Sequence, residues 1–279
     1  MNPRCLAAWS AAVLTVTLIS TNPAYRLAAA LIALDVTVVL SRPGQRLRPL
    51  LITIGSATAT AVALDLLLGH SGAHVLLRIP SAVPVIGGPI TVEAMLYGLV
   101  VGLGVSACVL AVAPLSRALD PHELVDALPS MLHRTATAGA AALNLVPGLV
   151  RSAGAVRDAQ RLRGWRPGGV RSWSELLVPV AVTAMEDSLQ LAEAMEARGY
   201  GSGARTRFSP PRLRRGDLAV LLTALAAVAL IVGARATGLD DDWYPTPSPT
   251  LPSVHPLPVL ACALLLTPLA AWRSRRSAD

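Results

Sequence analysis

Apolar stretches long enough to cross a lipid bilayer recur along this chain. A transmembrane helix needs about 20 consecutive, mostly apolar residues, and only helices or closed barrels satisfy the backbone inside lipid. The pattern predicts an all-α, multi-pass helical membrane protein with about six transmembrane helices. The predicted spans are residues 5–21, 27–41, 50–68, 91–113, 217–235 and 257–272.

A long segment, residues 117–215, separates the fourth and fifth predicted spans. It is too long for a connecting loop and too apolar for a disordered linker, so helices are predicted. The predicted organisation therefore has three parts. They are 1–116 with about four spans, 117–215 as a helical region outside the membrane, and 216–279 with about two spans and an external Pro-rich loop at 238–256.

Helix signals divide the middle region. The run 120–123, Asp-Pro-His-Glu, predicts a helix start with Asp as N-cap, and that helix is expected to end near Leu128. Pro129 and Pro147 are expected to divide the stretch that follows, up to a helix end at Arg163–Gly164.

A turn is then predicted at 166–172, followed by a second long helix from about 173 to 198 with a kink at Pro179. One face of that helix is predicted to lie against an apolar partner, with acids on the far side. The predicted contact face comprises Leu177, Ala181, Ala184, Ser188, Leu191 and Met195, and the acids are Glu186, Glu193 and Glu196.

Composition and charge sharpen this interpretation. The chain is 53% hydrophobic and 15% charged, against about 25% charged residues in soluble domains. All 24 basic residues are arginine, and there is no lysine. A Walker A loop needs a lysine on the nucleotide phosphates. The chain is therefore not itself a P-loop ATPase.

The arginines also predict an orientation. With the N-terminus inside, 21 of the 24 arginines fall on the cytoplasmic side, and only Arg26, Arg78 and Arg235 fall outside. This agrees with the positive-inside bias. Both termini and residues 117–215 are therefore predicted to be cytoplasmic, in a plasma (inner) membrane protein. A cleaved signal peptide is the alternative for the first 20 residues, but no clear cleavage site follows them.

One short sequence is repeated 35 residues apart. Residues 158–165 read DAQRLRGW and residues 193–200 read EAMEARGY. A single copy is explained by helix termination, since Gly adopts the left-handed C′ conformation and a cation suits the last turn. Two copies with matching flanks predict a duplicated binding partner. For a membrane subunit without its own P-loop, a pair of ATPase subunits fits best.

These residues resemble the transmembrane T component of energy-coupling factor (ECF) importers, the EcfT and CbiQ family. In that family two cytoplasmic coupling helices each end in Ala-Arg-Gly. Here Ala197-Arg198-Gly199 matches, while the first copy reads Leu162-Arg163-Gly164 and departs at the leucine. The other matching segments are Asn22-Pro23, the run 87–91 (GGPIT), Pro121-x-x-Leu124 and Ala159-Gln160.

The resemblance implies a non-catalytic scaffold, with no catalytic residues and no cofactor, that couples ATP-driven motion to vitamin or metal-ion uptake. Its implied partners are two ATP-binding cassette ATPase subunits and a small substrate-binding membrane subunit, the S component. The ATPase-coupling residues it implies are Arg163, Gly164, Ala197, Arg198 and Gly199. It also implies that the S component, and not this chain, selects the transported substrate.

Two other transport classes use some of the same residues. The stretch from Glu193 to Gly199 approximates the loop by which conventional ABC importer permeases contact their ATPases, but the later part of that loop is missing. Asp35 and Asp65 lie within predicted spans, where ionisable residues are costly and often functional. They leave an ion-coupled secondary carrier as a second alternative, with hydrogen bonding between helices as the simpler interpretation.

The remaining features favour structural roles. His70 and His74 lack a third ligand, and the spacing of Cys5, Cys108 and Cys262 supports neither a metal site nor a disulfide framework. The arginine-rich run 205–215 lies next to a span, which favours anionic lipid over nucleic acid. Gly98-x-x-x-Gly102 is predicted to be a close helix-packing face.

Overall fold

A computed structural model describes most of the chain. The described residues are 2–41, 44–69, 72–78, 89–120, 123, 133–166, 168–200, 214–240, 242–246 and 251–276. They form two compact units. The first, the membrane unit, is Met1–Asp120 together with Arg212–Asp279, and the second, the helical-hairpin unit, is Pro121–Pro211.

The membrane unit is built of helices and one short strand pair. Its helices are α1 Pro3–Ile19, α2 Pro23–Leu40, α3 Arg48–Leu68, α4 Val92–Ala118, α7 Arg215–Ala236, α8 Pro256–Leu264 and α9 Thr267–Arg276. Two antiparallel strands, β1 Val75–Arg78 and β2 Pro89–Thr91, precede α4. The all-α prediction is confirmed, although the sequence pattern did not predict this strand pair.

Four of the described helices, α2, α3, α4 and α7, are long and apolar enough to cross a membrane. Helix α1 has 17 residues, and the last predicted span is interrupted at Leu265–Leu266. Pro268 accounts for this break, because a proline ring clashes with the carbonyl four residues earlier, at Leu264. The count of six spans therefore stays a prediction.

The same Asn-Pro pair starts both of the first two helices. The Asn2 side chain accepts a hydrogen bond from the Arg4 amide (3.1 Å), and the Asn22 side chain accepts one from the Ala24 amide (3.0 Å). Asparagine is a strong N-cap, and proline suits the first helical position. Helix α2 therefore begins at Pro23, four residues before the predicted span.

Contacts between helix ends agree with the predicted alternation of the spans. At the ends predicted to be external, the Ser20 hydroxyl donates to Asp240 (2.9 Å) and the side-chain amide of Asn22 donates to the Ser253 carbonyl (2.7 Å). At the ends predicted to be internal, the Asn2 amide donates to Asp217 (3.3 Å). Which group of ends faces the cytoplasm stays a prediction from the arginines.

The predicted glycine face on α4 is confirmed, and α3 is its partner. A Cβ atom added to Gly98 would lie 2.8 Å from the Cα atom of Val62, and one added to Gly102 would lie 2.9 Å from the Cα atom of Thr58. Next to this contact, the Thr58 and Ser106 hydroxyl oxygens are 2.8 Å apart. The small residues therefore bring the two backbones close together, as in other membrane helix pairs.

Substituting Gly102 with valine should destabilise the membrane unit, because the new side chain meets α3 backbone atoms. Overpacking costs about 1–3 kcal/mol, so thermal unfolding in detergent should begin at a clearly lower temperature. Gly55→Val is the matched control, since a Cβ atom on Gly55, in α3, meets nothing within 4 Å. Equal unfolding temperatures for the two variants would show that the α3–α4 contact is not close.

The helical-hairpin unit contains two long helices, α5 His133–Leu162 and α6 Gly169–Ala197, which pack on each other. Two predictions in this region are wrong. Helix α5 runs through Pro147, and α6 begins at Gly169, inside the predicted turn 166–172. The half-buried leucines on either side of Pro147, Leu145 and Leu149, indicate that packing maintains the helix there.

The other middle-region predictions fall mostly outside the described residues. The predicted helix from Asp120 to Leu128 includes only Asp120 and Glu123 among them, and Pro129 is outside as well. The prediction of a second long helix ending at Arg198 is confirmed, because α6 ends at Ala197 with Arg198 as its C-cap. Pro179 lies inside α6.

The predicted contact face of α6 is partly wrong. Ala184, Leu191 and Met195 are half-buried as predicted, but Leu177, Ala181 and Ser188 are exposed. The half-buried side is completed instead by Leu176, Pro179, Val180 and Thr183. The face is therefore rotated around the helix axis relative to the prediction, because α6 carries apolar residues on more than one side.

Candidate functional site

The first copy of the repeated sequence, residues 158–165, ends α5 in a Schellman motif. Gly164 has a left-handed backbone, with φ of +86°. Its amide donates to the Arg161 carbonyl (3.0 Å), and the Trp165 amide donates to the Gln160 carbonyl (2.9 Å). These two bonds satisfy carbonyl groups that the end of a helix otherwise leaves without partners.

The second copy ends α6 in the same motif. Gly199 has φ of +77°. Its amide donates to the Glu196 carbonyl (2.9 Å), and the Tyr200 amide donates to the Met195 carbonyl (3.0 Å). The same bonds therefore link equivalent positions 35 residues apart in the sequence. The glycine in each copy is thus explained by the local structure, because it adopts the left-handed backbone of the cap.

The arginine in each copy of the repeated sequence is not needed for the cap. The cap bonds join backbone atoms only, and both Arg163 and Arg198 are exposed. Among the described residues, neither guanidinium forms a side-chain hydrogen bond or an ion pair. Each helix tip, defined as residues 162–164 or 197–199, therefore presents an exposed cation with five N–H donors.

Leu162, where the first tip departs from Ala-Arg-Gly, is 91% exposed. Helix packing therefore does not require a leucine at this position. Ala197, at the corresponding position of the second tip, is exposed as well. Both tips thus offer the same charged group and the same backbone shape, and they differ by one exposed apolar side chain.

The two tips are far apart along the hairpin. Helix α6 has 29 residues, which at 1.5 Å per residue corresponds to a length of about 40 Å. Arg198 lies at the C-terminal end of α6, and the turn that carries Arg163 leads into its N-terminal end. One small surface cannot contact both ends of such a helix, so the geometry favours two separate contacts.

An exposed apolar stripe follows α6 beside the half-buried side. Its members recur at i, i+4, i+7 and i+11, the spacing of one helix face. We call the residues Val178, Val182, Met185 and Leu189 the apolar stripe, and each is at least half exposed. The stripe lies beside the predicted contact face, and sequence analysis did not name it, although its spacing is visible in the sequence.

The other candidate residues fall in the membrane unit. The His74 ring nitrogen Nδ1 lies 2.6 Å from an oxygen of Glu93, which is fully buried, and His70 lies outside the described residues. In the described part of the chain no three potential ligands are grouped as a metal site. Asp65 contacts the Gly98 position on α4, whereas Asp35 is exposed on α2.

Comparison with known proteins shows the family. The family described as cobalt transport protein, CbiQ, matches residues 1–209. The chain belongs to the CbiQ family. The match includes both tips and most of the membrane unit, so the sequence resemblance is confirmed for the transmembrane component of a transporter.

Curated relatives carry a related name. A protein of Thermosediminibacter oceani, named energy-coupling factor transporter transmembrane protein EcfT, is 31% identical over 161 residues, which are 51% of this chain and 61% of that protein. Proteins with the same name from Bacillus selenitireducens and Bacillus subtilis are 26% and 27% identical, over 60% and 51% of this chain. The aligned parts span 66% and 60% of those proteins, so the chain covers less than two thirds of each relative.

Proposed function

We propose that this CbiQ-family protein is the transmembrane scaffold and coupling subunit of an energy-coupling factor importer. Two ATPase subunits bind and hydrolyse ATP, and a separate membrane subunit binds the substrate, a vitamin or a metal ion. The observation that carries the proposal is the pair of matching helix tips, each with an exposed arginine, at well-separated positions on one helical hairpin.

Each tip arginine serves as the ionic anchor of one ATPase subunit. A guanidinium makes planar, multidentate contacts with carboxylates or backbone carbonyls, which a lysine cannot reproduce. The Schellman motif fixes the backbone on which each arginine is carried. The separation of about 40 Å along α6 leaves room for two ATPase subunits, one at each tip.

The hairpin transmits the motion of the ATPases. The two long helices of the hairpin pack on each other, so in this proposal a displacement at a tip is passed to the rest of the hairpin. The apolar stripe on α6 offers the substrate-binding subunit a surface to dock on. In this proposal the hairpin lies on the cytoplasmic side, together with both termini, as the arginine distribution predicts.

The proposal predicts that the purified chain alone does not hydrolyse ATP, because it has no lysine for a phosphate loop. Purification through a tag on this chain should instead recover two P-loop subunits, or two copies of one, and a small hydrophobic protein. The recovered complex should hydrolyse ATP. Recovery of an external substrate-binding protein would favour a conventional permease, and ATP turnover by the isolated chain would refute the scaffold proposal.

A further inference from the structure

A groove in the membrane unit combines an apolar wall with the cation of Arg26. It has a volume of about 300 Å³ and lies between α1, α2, α4 and the segment 242–246. Leu18, Val101 and Val105 line its apolar side. Trp243 and Tyr244 also line it, and the Trp243 amide donates to the Thr21 hydroxyl (3.1 Å) at the helix ends predicted to be external. Tryptophan and tyrosine are enriched at membrane–water interfaces, so this end of the groove is at headgroup depth.

Arg26 supplies the cation. Its Nε donates to the Ser20 carbonyl (2.9 Å) and its Nη1 donates to the Val100 carbonyl (3.1 Å). These bonds fix the guanidinium but use only two of its five N–H donors. Among the described residues no carboxylate forms an ion pair with Arg26, since Asp242 pairs with Arg235 and Asp240 accepts from Ser20.

Helix α4 leaves space for this side chain. A Cβ atom on Gly104 would lie 3.2 Å from the guanidinium carbon of Arg26. The α4 backbone therefore provides one wall against the cation, and Gly104 is itself buried. A charge placed in a membrane protein without an acidic partner is costly unless a ligand or water neutralises it.

The chemistry of the groove matches a ligand with an anionic head and an apolar tail. A phosphate accepts charge-assisted hydrogen bonds from an arginine, and the apolar wall matches an acyl chain. The lining residues in the described part of the chain include no acidic side chain. The Asp242 carboxylate accepts from the lining residue Thr21 (3.3 Å), but it already pairs with Arg235 and is not available to a choline or ethanolamine ammonium group. A lipid with net negative charge therefore fits better than a zwitterionic lipid.

We propose that this groove binds one anionic phospholipid, with its phosphate on Arg26 and an acyl chain along Leu18, Val101 and Val105. The site is separate from the two helix tips and does not depend on ATPase coupling. Because α1, α2 and α4 all line the groove, the bound lipid bridges three helices of the membrane unit.

Native mass spectrometry of the purified chain tests this proposal, after detergent exchange with either phosphatidylglycerol or phosphatidylcholine. The wild-type chain should retain one phosphatidylglycerol molecule and little phosphatidylcholine. Arg26→Gln should lower this retention about tenfold, the effect of losing charge-assisted hydrogen bonds. Arg48→Gln is the matched control, since it removes an exposed arginine at the opposite helix ends, and it should leave retention unchanged.

A second variant keeps the test decisive if Arg26→Gln fails to fold. Val105 is 44% exposed in the groove wall, so Val105→Trp should fill the groove while the Arg26 hydrogen bonds persist, and it should also expel the lipid. Equal retention of the two lipids, or full retention in both groove variants, would overturn the proposal. Displacement of the lipid by millimolar inorganic phosphate would show that the groove recognises phosphate alone.

Discussion

Replacing both Arg163 and Arg198 with alanine is expected to abolish ATP-driven uptake while the chain stays inserted and folded. Each arginine is exposed at a helix tip, and the cap bonds are made by backbone atoms. Folding should therefore lose only a dipole interaction of about 0.3–1 kcal/mol per tip. An arginine anchor at a subunit interface contributes more, about 2 kcal/mol or above on truncation.

Each single variant should therefore weaken its ATPase contact by a factor of about 30. Arg198→Ala should be the more severe, because its flanking Ala197 and Gly199 match the family tripeptide while Leu162 does not. Uptake, ATP hydrolysis and membrane insertion should be measured at equal expression levels. Wild-type uptake in the double variant would mean that the arginines only favour helix termination.

Arg161→Ala is the matched control. Arg161 is exposed in the last turn of α5, two residues before Arg163, so its substitution removes the same charge from the same helix end. Its loss should change uptake little, because it lies outside the tip tripeptide. If Arg161→Ala impairs uptake as much as Arg163→Ala, the general positive charge of the hairpin matters and not the tip.

Two glutamates in the apolar stripe, Val182→Glu together with Met185→Glu, should release the substrate-binding subunit and leave the ATPases bound. Both side chains are at least half exposed, so the hairpin itself should tolerate the change. A carboxylate buried in an apolar interface costs several kcal/mol, which is enough to reduce co-purification about a hundredfold. ATP hydrolysis should continue without uptake.

The control for this variant is Gln190→Glu, which adds a negative charge at an exposed position of α6 outside the stripe. The recovered subunits should be quantified for the stripe variant, the control and the wild type. Retention of the substrate-binding subunit by the stripe variant would show that it docks elsewhere. Loss of the ATPases as well would indicate a misfolded hairpin.

Much of the membrane unit could be predicted from the sequence, because long apolar helices depend on local composition. The predicted spans at 50–68 and 217–235 agree with α3 and α7 within two residues at each end. An N-cap residue followed by proline marks a helix start, and Asn2 and Asn22 both give this signal in the sequence. The predicted span boundaries did not use it.

The predictions that the structure contradicts concern features that depend on tertiary packing. Helix α6 has apolar residues on two adjacent sides, and only the position of α5 decides that Leu176 and Val180 are covered while Leu177 and Val182 are exposed. Pro147 was expected to end a helix, which is its usual local effect, but α5 continues through it.

The candidate residues show the same contrast between features set by local sequence and features set by tertiary packing. The two tips were predicted from the repeated sequence, because a Schellman motif depends on a few neighbouring residues. Arg26 was predicted only as one of three arginines outside. Its place in a groove depends on Val100 and Gly104 of α4, which are distant in the sequence. No local pattern could therefore have indicated it.

The number of ATPase subunits bound to the hairpin tests the central claim most directly. Intact complexes purified through a tag on this chain should be weighed by native mass spectrometry for the wild type, each single tip variant and the double variant. The proposal predicts two ATPase subunits per chain in the wild type, a large population with one in each single variant, and none in the double variant. Two ATPase subunits per chain in all four samples would contradict it.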